Sequence, residues 1–333
     1  MAEKTDKSKR IFWLDALRVV SIVAVVTIHA ATQNWERITA GTGENVVLSV
    51  FDALGRFAVP IFVMISGTLM LRRELSFKKC LKKVGRLLIV WVFWCVFYSL
   101  LALATGKGLE SALSELAFGH FHMWFLPMIA VLYLMTPILK WITKDQRRCV
   151  VAILVLLVVS VGLRFRWTAY PMYYLMGYML GSGKWAFGKR RKMALALCMG
   201  MFLISVVATA MLNVKASVAE GAAVRPMDGD WSIFVIMQAM AIFVGAKILA
   251  GNGTKIGVKK QEIYTRLAGD VLGVYMVHIA VLGVLNRIGV SDVMFGGVIG
   301  IFAGTILTII LVVAISVATI ELMRRIPGLK RVV

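Results

Sequence analysis

The chain is poor in several things that a soluble enzyme of its size carries. Only 17 of its 333 residues are acidic, against 38 Lys and Arg, which leaves a formal charge of +21. Cysteine is scarce. Cys80 and Cys149 fall in or beside basic loops, Cys95 and Cys198 within apolar runs, and no Cys-x-x-Cys spacing occurs. Neither a disulfide framework nor a structural zinc site is expected from that pattern. Gly-x-Gly-x-x-Gly, the Walker loop and the Gly-x-Ser-x-Gly elbow are all missing, which removes the common dinucleotide, nucleotide and serine-hydrolase readings. No internal repeat is visible by eye, so a transporter built from inverted halves has no support from that side.

What is present is apolar sequence: 60% of residues are hydrophobic and mean hydropathy is +0.83. A bilayer core needs about 20 apolar residues per helix. Ten candidate spans meet or approach that length, at 11–33, 46–71, 84–104, 123–143, 149–163, 170–183, 193–213, 231–250, 269–287 and 294–322. The fifth and sixth are short enough to form an irregular or re-entrant pair. The predicted fold is therefore an all-α, polytopic membrane helical bundle of about ten transmembrane helices, a single domain over 1–333 with both termini cytoplasmic.

The loops orient it. Lys and Arg of short loops collect on the cytoplasmic side. Basic clusters follow the second span (Arg72, Arg73, Lys78, Lys79, Lys82, Lys83, Arg86), the fourth (Lys140, Lys144, Arg147, Arg148), the sixth (Lys184 to Lys192) and the eighth (Lys247 to Arg266). The alternate loops are poor in positive charge, with only Arg164 and Arg166 breaking the pattern. Topology thus absorbs most of the basic excess, and nucleic acid is not an expected partner. Residues 1–10 and 323–333 read as short basic cytoplasmic tails.

The first span, Trp13 to Gln33, is the anomaly, because it carries Asp15, Arg18 and His29 inside an apolar run. Ionisable groups near the bilayer centre cost at least ~2.5 kcal/mol each and are kept where they face a polar interior. Arg18 and His29 are eleven positions apart, within roughly 20° on the helical wheel and about 16 Å along the axis. Asp15 lies one turn before Arg18 and can pair with it. His29 has the chemistry of a general base, since a neutral imidazole accepts a proton from a hydroxyl near neutral pH. An interhelical hydrogen bond is the competing role.

Four further stretches carry polar chemistry. Pro60 can kink the second span, and Ser66-Gly67 admits a neighbouring backbone closely. Arg72 and Arg73 open a run of seven positive residues in fifteen, suited to phosphate through bidentate guanidinium contacts, although lipid head groups would also account for it. His120 and His122 point apart on a helix but share a side of an extended segment, and without a third ligand they are weak evidence for a metal. Trp124, with the Arg164, Arg166, Trp167, Tyr170, Tyr173 and Tyr174 run, reads as external, either an aromatic belt or a surface for sugar or anionic acceptors. His278, with Tyr275 one turn earlier, is a second deeply intramembrane histidine.

The order Asp15-x-x-Arg18, Arg18-x10-His29, MISGTLMLRR ending at Arg73, His122-x-Trp124-Phe-Leu and Tyr275-x-x-His278 resembles the acyltransferase-3 family of integral membrane O-acyltransferases. Its VPIFVMISG wording is similar to the enterobacterial common antigen O-acetyltransferase branch. The resemblance implies an acyltransferase moving groups other than aminoacyl groups, with acetyl-CoA as donor, no metal, and a carbohydrate or lipid-linked envelope acceptor at a cell inner membrane. It makes His29 the base with Arg18 as its paired arginine, and gives Arg72 and Arg73 to the donor; from their placement, Asp15 is expected beside Arg18 in catalysis, and Arg18, Lys78, Lys79 and Ser66 are expected to join the donor site. His122, Trp124, Arg164, Arg166, Tyr275 and His278 are expected toward the acceptor. Pro60 stands where many relatives carry an aspartate, and Thr68 where an aromatic is common, so the acceptors of those relatives do not transfer. A transporter or flippase for a lipid-linked sugar, using the polar column of the first span, and a receptor without turnover are the alternatives.

Overall fold

Apolar runs separated by basic loops build twelve α-helices and, among the described residues, no strand. The computed structural model describes residues 11–33, 35–73, 76–183, 190–251, 257–290 and 297–333. The expected N-terminal tail, together with Lys184, Lys189 and Lys255, lies outside them. The helices are α1 (Phe12–Thr32), α2 (Gly43–Gly55), α3 (Ala58–Leu71), α4 (Phe77–Ala104), α5 (Gly108–Phe118), α6 (Phe125–Thr143), α7 (Gln146–Gly162), α8 (Arg166–Ser182), α9 (Arg191–Glu220), α10 (Ile233–Ala250), α11 (Val258–Arg287) and α12 (Gly297–Arg325). Eight stretches are long and apolar enough to cross a membrane, with α2–α3 and α5–α6 each counted as one. The 17-residue α7 and α8 pack as a pair. Large apolar side chains such as Val158 (70% exposed) and Ile299 (82%) point outward, as a lipid-facing surface requires.

Three local departures from the expected spans have physical causes. The second span is broken at Arg56–Phe57. Pro60 has no N–H for the Arg56 carbonyl and its ring crowds that carbonyl, so the break falls one turn before the proline, which then sits in the first turn of α3. The basic run after α3 is not a loop: Phe77 begins α4, so Lys78 and Lys79 ride on its first turn while Cys80 and Val84 face inward. Finally, the short sixth span is a largely buried helix packed on α3 and α7. Of α8, Tyr170, Tyr173 and Tyr174 are no more than 1% exposed, so these tyrosines belong to the core and not to an external aromatic belt.

The α3–α8 contact is the tightest in the bundle because it is backbone on backbone. A Cβ on Gly67 would meet the Tyr174 carbonyl, and one on Gly177 would meet that of Met64. The Thr68 hydroxyl sits between the carbonyls of Gly177 (2.6 Å) and Met64 (2.9 Å). Small residues at such crossings let packing and short polar contacts replace the hydrophobic drive that lipid does not supply. The expected role of Ser66-Gly67 is thus borne out, with α8 as the partner.

The connections give the bundle two polar ends. At one, Arg72, Lys140, Lys144 and Ser182 line a cavity of about 340 Å³, and Arg86, Arg266, Arg324 and Lys330 line another of about 770 Å³. At the other end lie the α5–α6 junction and the 221–232 segment before α10.

Candidate active site

On α1, Arg18 Nη1 donates to Asp15 Oδ1 at 2.5 Å, and this is the pairing expected from their spacing. Asp15 is buried and Arg18 partly open. The Tyr133 phenol of α6 lies beside the Ser66 hydroxyl and within electrostatic reach of Arg18. α1, α3 and α6 thereby bring polar groups to one level, where a tyrosine that sequence reasoning did not single out sits beside Ser66 and within electrostatic reach of Arg18. Arg72, Arg73, Lys78 and Lys79 are exposed beyond it. Lys140 Nζ donates to the Arg73 carbonyl at 2.7 Å, which draws the α6 end against the α3 end.

Three turns along α1, His29 meets the other histidines. Its ring lies 5.2 Å from that of His278, which lies 5.2 Å from His122, and His122 is 5.4 Å from His120. All four histidines of the chain therefore form one file from α1 through α11 to the α5–α6 junction. His120 is extended and caps the short 3-10 turn Phe121–Trp124, whose second residue is His122, so it is this turn and not a fully extended segment that brings the two rings together.

The file is held by main-chain acceptors. His278 Nδ1 lies 2.7 Å from the Tyr275 carbonyl and His122 Nε2 lies 3.4 Å from the Met276 carbonyl. A carbonyl only accepts, so these two nitrogens carry the protons and the opposite ones keep lone pairs. Those opposite atoms, His278 Nε2 and His122 Nδ1, are buried without a hydrogen-bond partner among the described residues. The Tyr275 hydroxyl donates to the His122 carbonyl, so it fixes His122 in place. His29 is partly accessible, whereas His122 (2%) and His278 (0%) are not. Among the described residues, no three His, Cys, Asp or Glu side chains converge where a metal ion could be held.

A charged cluster lies beside this file. Arg56 pairs with Asp52 and, at 3.1 Å, with Asp228, while Arg225 lies 3.5 Å from Asp52 and 3.7 Å from Asp228. Both arginines are close enough to act on His29 through space. Tyr170 and Tyr173 donate to Asp230 at 2.7 Å, through its carboxylate and carbonyl respectively. Burial pushes the Asp230 carboxyl above its usual 3.8, against the pull of Tyr170 and Arg166. Arg166 lies 3.6 Å from Asp230 and stacks over Trp124 at 4.7 Å. Of the residues expected toward an acceptor, His122, Tyr275 and His278 join the histidine file, and Trp124 and Arg166 join this cluster. Arg164 stands apart, exposed over Trp231.

Asp52 and Arg56 were missed, although Asp-x-x-x-Arg inside an apolar span is the same signal that exposed Asp15 and Arg18. Arg225, Asp228 and Asp230 had no such signal, since in sequence they are ordinary loop residues.

The bundle and its interior define a multi-pass helical membrane protein with a histidine-lined polar core. Residues 11–317 match the acyltransferase-3 family profile, described as an acyltransferase domain, and the chain belongs to that family. It is a membrane acyltransferase. No curated protein and no solved structure matches it.

Proposed function

We propose that the protein is an acyl-CoA-dependent O-acyltransferase, with acetyl as the acyl group, acting on a hydroxyl of a carbohydrate or lipid-linked envelope acceptor at a cell inner membrane. The observation that carries this reading is the polarity of α1. Arg18 stands toward the end where the basic cavities lie, and His29 stands toward the end where two buried histidines present open lone pairs. Donor phosphates dock on Arg72 and Arg73, with Lys78, Lys79 and the lysines of the adjoining cavity supplying further positive charge. The pantetheine arm follows α1 past Arg18 and Ser66, over about 16 Å, to His29.

There His29 removes the proton from the acceptor hydroxyl, the oxygen attacks the thioester carbonyl, and the C–S bond breaks to release CoA as its thiolate. Asp15 holds Arg18 toward the donor. Because the Tyr275 hydroxyl is engaged by the His122 carbonyl, it acts as a positioning group for the file rather than as an oxyanion donor. Trp124 and Arg166, stacked beside Tyr170 and Asp230, suit the acceptor, because a sugar face stacks on an aromatic ring while its hydroxyls find charged partners.

Purified protein in nanodiscs tests this with acetyl-CoA as the probe. Wild type binds acetyl-CoA and releases its thiol, and His29→Ala binds but does not turn over. Failure of wild type to bind or turn over acetyl-CoA overturns the reading. Full activity in His29→Ala overturns only the assignment of the base.

A further inference from the structure

We infer that the four histidines form a proton path from the reaction centre to the far end of the bundle, separate from the charged cluster on which the acceptor is expected. This rests on the proposed role of His29. The file continues past His122: His120 Nδ1 donates to Glu115 Oε1 at 2.7 Å, and its ring is stacked on Tyr98 at 4.4 Å and 3°. His120 and Glu115 line a cavity of about 300 Å³ with Lys107, Thr105, Asn286 and Arg287. The file thus runs from a partly open imidazole, through two closed ones, to a cavity of mixed polar and apolar lining at the ends of α4, α5 and α11.

The pinned tautomers leave one nitrogen free on each of the two closed rings. His278 holds its Nδ1 proton on the Tyr275 carbonyl, and His122 holds its Nε2 proton on the Met276 carbonyl. One nitrogen of each is left for traffic, and neither has a hydrogen-bond partner among the described residues. A proton from His29 is taken by His278 Nε2, the ring then turns to hand it to His122 Nδ1, and His122 turns in the same way to hand it to His120 Nε2. His120 then releases its Nδ1 proton to Glu115 or to water in the cavity. Imidazole chains suit this transfer because each ring accepts at one nitrogen while keeping a donor on the other. The groups facing His120 are Glu115, Lys107, Tyr98, His122 and, across the cavity, Arg287.

The balance closes. The acceptor O–H and the thioester C–S bonds break and an ester C–O bond forms. The acceptor's proton leaves through the file, and the CoA thiolate takes its proton from water at the basic end. One proton thus appears at the histidine end for each thiol formed at the other.

The test uses full-length protein in proteoliposomes, thiol release from acetyl-CoA, and imidazole as an external proton carrier. His120→Ala is expected to lower turnover by at least about tenfold, within the range of a lost acid–base group, with the KM for acetyl-CoA unchanged. Imidazole, small enough for the cavity, restores most of the rate. His120→Gln, which keeps a polar neighbour for Glu115, loses turnover to the same degree. Wild-type turnover in either variant overturns the path while leaving His29 as base. A folded His120→Ala whose loss imidazole does not repair overturns it too, since that is the mark of a structural contact. If wild type releases no thiol from acetyl-CoA while His29→Ala behaves identically, the functional reading itself falls and the path with it.

Discussion

The two polar ends of this bundle are built on opposite principles. At the basic end, Arg72, Arg73, Lys78 and Lys79 stand exposed. At the histidine end the charges are sequestered: Asp52 is fully buried against Arg56 and Arg225, and His122 and His278 are closed off from solvent. Exposed cations act at long range, weakly per residue, and are screened by salt. Buried groups act only at contact and only when pre-set, and each is costly to leave unpaired. The first arrangement suits capture of a mobile polyanion, the second suits chemistry on a fixed group, and the α3–α8 contact holds the two in register.

This contrast can be broken at several points. The largest effect is expected at His29, where Ala lowers acetyl-CoA turnover by about 10²–10⁴ with binding retained, measured by thiol release and calorimetry. Next comes the buried pairing. Asp52→Ala leaves Arg56 short of its nearest carboxylate and is expected to cost about 3–5 kcal/mol, read as a fall in thermal midpoint of the detergent-solubilised protein. A near-unchanged midpoint there would remove the contrast between the ends. At the contact holding them together, Gly67→Val forces the α3 and α8 backbones apart and costs about 1–3 kcal/mol or more, seen as lost monodispersity and midpoint.

On the basic side, Arg72→Ala with Arg73→Ala should leave stability within about 0.5 kcal/mol. It should raise the KM for acetyl-CoA several-fold at low salt and less at high salt, as exposed charges do. A large stability loss in that variant would mean the basic end is pre-set after all. The smallest effect concerns Asp230. Its folded carboxyl holds its proton to higher pH than the unfolded one, so its contribution to stability is complete below the usual 3.8 and fades as pH rises through the raised folded value. Asp230→Asn, which cannot titrate, flattens the thermal midpoint against pH over that acidic window.

Much of this plan was readable from residues alone. An ionisable group inside an apolar run is conspicuous because lipid excludes it, which is why Asp15, Arg18 and His29 declared themselves, and Asp52 and Arg56 carried the same signal. The Ser66-Gly67 step announced a close approach but not its partner. α8 was the least readable element, because most of its residues are buried, which leaves little amphipathic period to detect, and its tyrosines look like an interfacial belt. Tyr133 and Asp230 were hidden for a different reason: each gains its meaning from a neighbour more than 50 positions away, Ser66 for one and Tyr170 for the other.

The sequence by itself determined that this is a polytopic helical protein, which end of it is basic, and that the first helix carries a cation and an imidazole on one stripe. Length, hydropathy and helical period are local properties, and they suffice for that much. Only the tertiary structure decided that four histidines from three separate stretches line up, that two of them are pinned as opposite tautomers, and that α8 buries its tyrosines against its neighbours. Those outcomes depend on which backbones approach one another: α1 packs on α11 to bring the histidines together, and Gly67, Thr68 and Gly177 meet across an α3–α8 crossing that no single stretch of sequence contains.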